Sequence, residues 1–137
     1  MKTISIIKLT LFLLILHMPN IATASSGGGS TTTSKYFQLS PQIVVNVNDK
    51  GKARHLQIAI QLRLDDPADS ALVNEHKPAI QHTLVMLLSG REAKDVRSTQ
   101  GKEALRTEAT EELKKLLKES IGRPVINAVY FTAFVIQ

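Results

Sequence analysis

The chain contains no cysteine and no tryptophan. Without cysteine there is no disulfide framework, no thiolate metal site and no cysteine nucleophile. An exported protein of this sequence must hold its core by packing alone, which about 110 residues can do as one domain. Glycine is sparse, and its one run, Gly27–Gly29, lies in a Ser/Thr tract rather than after a strand pattern, so no phosphate-cradling loop is present. No G-x-S-x-G surrounds any serine. A strong charge of one sign is also missing. The formal charge is +5, and with Lys2 and Lys8 set aside the remainder carries 15 basic against 12 acidic groups, a net +3. These charges are mixed along helical patterns instead of forming a basic stripe with interleaved aromatics, which argues against nucleic acid as a partner.

The segment 1–24 has a basic start, an apolar run from Leu9 to Leu16, and the ending Ala22-Thr23-Ala24. That is the pattern of a secretory signal cut after Ala24. A retained membrane anchor is the other reading, although Ile4 to Met18 gives 15 residues with Lys8 inside them, against the roughly 20 that a span needs. Under either reading the rest of the chain lies outside the cytoplasm. Residues 25–34, S-S-G-G-G-S-T-T-T-S, have nothing to bury and read as a flexible linker. A folded domain over 35–137 follows.

Within that domain, Phe37, Leu39, Ile43, Val45 and Val47 alternate with polar residues, which predicts a strand with one wet face and an edge or bend at Pro41. Asn48 to Gly51 supplies turn chemistry. Leu56, Ile58, Ile60, Leu62 and Leu64 then complete an antiparallel hairpin with one apolar face. Asp66-Pro67 predicts a helix start, Pro78 a kink or restart, and Ser89-Gly90 a stop. Residues 91–98 read as a connecting turn or short helix. Thr99 is the expected cap of a long helix whose stripe is Leu105, Ala109, Leu113, Leu116, Leu117 and Ile121, with Glu111 and Lys115 as an i,i+4 pair. The last stretch, Pro124 to Gln137, is apolar at nearly every position. Alternation places Val125, Val129, Phe131 and Val135 on one side and Ile126, Ala128, Tyr130, Phe134 and Ile136 on the other, so the expectation is a strand covered on both faces. The fold class is α+β, an antiparallel sheet made of the N-terminal hairpin and a long C-terminal strand, with helices packed on it.

Candidate chemistry is thin. His17 belongs to the first segment. His76 and His82 are six apart across Pro78, which is no familiar ligand spacing, and Glu75 completes only a weak metal cluster. Glu111 and Glu112 fall on the wet face of a helix, where a solvated surface is the simpler reading than an acid/base pair. No catalytic residue, cofactor site or metal site is assigned. By its physics the chain is an exported, tethered interaction domain; a periplasmic ligand- or metal-binding protein using Glu75, His76 and His82 is the rival.

The segments Tyr36 to Val47, Arg54 to Leu62, His76 to Ser89, Gly101 to Glu108 and Val129 to Gln137, in that order, resemble the FliL family of flagellar basal-body proteins. The closing F-T-x-F-V-x-Q, carried by Phe131, Thr132, Phe134 and Gln137, is the most specific part, and its role is structural. The resemblance implies an inner-membrane anchor and a periplasmic domain of the stomatin/prohibitin (SPFH) type. It further implies self-association into rings, stator proteins and the basal body as partners, support of motor torque and swimming, and no enzymatic activity or cofactor. A stomatin-like scaffold unrelated to flagella is a further alternative. The sequence departs from the family pattern at its short, lysine-interrupted N-terminal run.

Overall fold

The computed structural model describes residues 34–137. The expected signal or anchor, 1–24, and all but the last residue of the expected linker lie outside the described residues. Strands β1 (Tyr36–Asp49), β2 (Lys52–Leu64) and β3 (Ile126–Ile136) form one antiparallel sheet in the order β1-β2-β3. Between β2 and β3 come a 3-10 turn (Pro67–Asp69) and the helices α1 (Ser70–Glu75), α2 (Lys77–Leu88), α3 (Ala93–Arg97) and α4 (Thr99–Ile121). The α+β expectation holds, with hairpin, helices and closing strand in the expected sequence.

The hairpin forms because the turn chemistry allows it. Lys50 and Gly51 both have positive φ, 54° and 81°, which matches the twist of the flanking strands, and the Asn48 side chain accepts from Gly51 N–H. Along β2, Leu56, Ile58, Ile60, Leu62 and Leu64 are all essentially inaccessible. Between Leu39 and Ile43 the β1–β2 register shifts, at the stretch that holds the cis Ser40–Pro41 peptide. Asp66 caps the 3-10 turn by accepting from Ala68 N–H, and Pro67 occupies its first position. Pro78 does restart the helix: α1 ends at Glu75, and α2 begins at Lys77 with proline in its first turn, where the missing N–H would have had no partner. Buried Ile80, Leu84 and Leu88 of α2 and Leu105, Ala109, Leu113 and Leu117 of α4 meet the apolar sheet face.

Two local expectations are corrected. Ser98, not Thr99, caps α4, its hydroxyl accepting from Gly101 N–H at 2.9 Å, because Ser98 is the last residue with extended backbone. Glu111 pairs with Lys114 one turn on, at 3.5 Å, and not with Lys115.

The larger correction concerns β3. Its register against β2 shifts twice, leaving Asn127 and Thr132 as extra residues. Each extra residue inverts the alternation. Ile126, Val129, Phe131, Phe134 and Ile136 therefore oppose Leu64, Leu62, Ile60, Ile58 and Leu56 on one face, and Ala128, Tyr130, Ala133 and Val135 oppose Arg63, Gln61, Ala59 and Gln57 on the other. Strict alternation had put Phe131 and Phe134 on opposite sides. The bulge at Thr132 puts them together, with ring centroids 6.0 Å apart. Cover on both faces is found only near the start of the strand, where Ile126, Ala128 and Val129 are buried; from Tyr130 onward the residues are half-buried or exposed.

Candidate interaction surface

Side chains rather than a pocket chemistry define the surface. Helices pack on the Leu56–Leu64 face of the sheet. On the opposite face Tyr36, Val44 and Val135 are 50%, 57% and 45% exposed. Tyr36 and Tyr130 lean together across the sheet with centroids 6.1 Å apart. Much of the rest of this face is uncharged and polar: Gln57 and Gln42 hydrogen-bond there, and Gln38 donates to Ile60 O at 3.0 Å. Beyond buried Ala128, the second side of β3 is thus left half-buried or exposed.

Beside β3 the N-terminal half of α4 leaves an open groove of about 520 Å³, lined by Lys102, Glu103, Arg106, Tyr130, Phe131 and Phe134 among others. Lys102 Nζ stands 5.2 Å above the Phe134 ring. Arg106 and Glu103 form a forked pair at 2.9 and 2.5 Å. The hydrogen bonds from Arg106 hold the Glu103 carboxyl below its ordinary pKa, and the same bonds raise that of Arg106. Lys102 takes part in no ion pair among the described residues.

Farther along, α4 seals the same strand edge. Thr110, buried at 6% exposure, donates its hydroxyl to Arg106 O at 2.8 Å and accepts from Val129 N–H at 3.1 Å. At the end of the strand, Gln137 and His55 exchange both backbone hydrogen bonds, at 3.0 and 2.9 Å. Gln137 therefore ends the β2–β3 ladder through its main chain. Thr132 is the exposed bulge residue, and its hydroxyl donates to Ala59 O. Phe131 and Phe134 are half-buried walls of the groove.

The histidine candidates are not gathered. His76 Nδ1 lies 3.0 Å from Leu72 O within its own helical turn, while Glu75 and His82 are exposed. Among the described residues no three His, Asp or Glu side chains come together as a metal-holding group. Glu111 and Glu112 are exposed. The groove-forming Lys102, Arg106 and Tyr130 were not singled out from sequence. The odd spacing of Phe131 and Phe134 is compatible with a bulge between them, but no local signal ties Lys102 or Arg106 to that strand. No helix among the described residues is long and apolar enough to cross a membrane.

Compared with known proteins, residues 36–137 match the family model described as flagellar basal body-associated protein FliL. The chain is 27% identical over 101 residues to the flagellar protein FliL of Aquifex aeolicus (strain VF5), a stretch that covers 74% of this chain and 60% of that relative. It is 26% identical over 121 residues to the flagellar protein FliL of Escherichia coli (strain K12), covering 88% of this chain and 77% of that one.

Proposed function

The chain belongs to the FliL family of flagellar basal body-associated proteins, and from that premise we propose that it is a non-enzymatic scaffold of the flagellar motor. Residues 1–24 export the domain, as a cleaved signal or as an anchor, and residues 25–34 tether it on the periplasmic side of the inner membrane. The folded part packs side by side with copies of itself in the manner of stomatin/prohibitin domains, and the resulting ring braces the stator units against the load of rotation. Phe131, Thr132, Phe134 and Gln137 keep the last strand in register in that role.

One observation carries this reading: the family match spans the whole folded part and includes a sheet face that the domain leaves uncovered, with Tyr36, Val44 and Val135 about half exposed. A sheet face that exposes Tyr36, Val44 and Val135 among mostly uncharged polar neighbours is suited to binding other proteins. Sedimentation of the purified full chain, alone and with the periplasmic segments of stator proteins, tests the proposal. Association with itself or with those segments supports it. A chain that stays monomeric at every concentration and ignores the stator segments removes it.

A further inference from the structure

We propose that the groove between the N-terminal half of α4 and the free edge of β3 receives an extended peptide of a partner protein, one that alternates acidic and apolar side chains. The proposal stands on the edge geometry and does not depend on which assembly the chain serves.

The first support is the state of the edge. His55 and Gln137 form a hydrogen-bonded pair of the antiparallel ladder. In such a ladder the pairs alternate, so the N–H and C=O groups of Ile136 and, two residues back, Phe134 point away from β2. Among the described residues no other strand lies on that side. Thr110 satisfies the edge at Val129 but reaches no farther. The opposite edge of the sheet is blunted. Pro41 has no N–H to offer there, Asn46 O accepts from Gly90 N–H at 2.8 Å, and Asn48 N–H donates to Arg91 O at 2.8 Å. Open ladder positions on β3 are thus a ready template for strand addition.

The second support is the chemistry on either side of that edge. On the helix side stands Lys102, over the Phe134 ring and without an ion-pair partner among the described residues. The neighbouring Glu103 is engaged by Arg106. On the outer side β3 presents Tyr130, Ala133 and Val135. An added strand sends successive side chains to opposite faces. Its helix-side positions meet a cation and its outer positions meet an apolar row, which selects carboxylates alternating with aliphatic residues.

The test uses the full chain and two synthetic peptides of about seven residues, a common strand length, one alternating valine with glutamate and one alternating valine with lysine. The readouts are peptide fluorescence anisotropy and amide hydrogen exchange. At saturation the glutamate peptide is expected to slow exchange of the Phe134 and Ile136 amides at least tenfold and to bind more tightly than the lysine peptide. Lys102→Glu, an exposed substitution, is expected to invert that order. Unprotected Phe134 and Ile136 amides, or an order unchanged by Lys102→Glu, would overturn the proposal. So would protection that grows with protein concentration in the absence of peptide, because a second copy of the chain would then hold the edge.

Discussion

Asp69 and Arg123 stand 54 positions apart in the chain and meet as a fork, Nη1 to Oδ2 at 2.8 Å and Nη2 to Oδ1 at 2.5 Å. The contact ties the turn that follows β2 to the segment that launches β3. Hydrogen bonds from Arg123 hold the Asp69 carboxyl below its ordinary pKa, with the guanidinium charge acting in the same direction. A carboxyl whose folded pKa is depressed adds stability above its unfolded pKa of about 3.9, and that stability is lost as pH falls through the folded value. Thermal unfolding of Asp69→Asn should therefore lie below the parent at neutral pH and approach it in acid. High salt should narrow the neutral-pH gap, since the Arg123 side chain is 52% exposed.

Thr110 satisfies a buried strand amide from inside a helix. Thr110→Val keeps the shape and removes the acceptor of Val129 N–H, leaving a buried donor without a partner at a cost of about 1–3 kcal/mol. Thr110→Ser should recover most of that loss. Denaturant titration measures the difference, and amide exchange at Val129 should quicken in the valine variant alone.

Gly101 is required for space. A Cβ there would fall 1.6 Å from Asp95 O, the carbonyl that also accepts from the Ser98 hydroxyl. In an open helix Gly→Ala stabilises by roughly 0.5–1 kcal/mol. Here α3 must move, and overpacking of this kind costs about 1–3 kcal/mol. Gly101→Ala is expected to lower Tm, and a raised Tm would contradict the close approach of α3 to α4.

The bulge at Thr132 makes Phe131 and Phe134 neighbours. In a double-mutant cycle, Phe131→Ala and Phe134→Ala should couple by about 0.5–1.5 kcal/mol, as contacting rings do. Strict alternation would place the rings on opposite faces, and the two losses would then add.

That pair also marks where sequence reading stopped. Regular patterns were legible: the β2 alternation, the α4 stripe, the Asp66-Pro67 start and the restart at Pro78 all depend on local chemistry that a short window contains. Thr132 and Asn127 are different. Whether a residue is skipped in a ladder depends on the partner strand, so a largely apolar run such as Val125–Ile136 is compatible with several registers and reads as two-sided. The absence of cover over Tyr36, Val44 and Val135 was likewise a fact about where helices go, not about any one segment. Lys102 and Arg106 carry no mark of their place in the sequence, because nothing local says that the first turns of α4 border a strand edge.

Swimming of a strain with an in-frame deletion of this gene tests the central claim most directly. The account expects slower swimming and smaller soft-agar spread than the parent, restored by the wild-type gene supplied in trans. Unchanged swimming in the deletion strain would contradict a role in the flagellar motor.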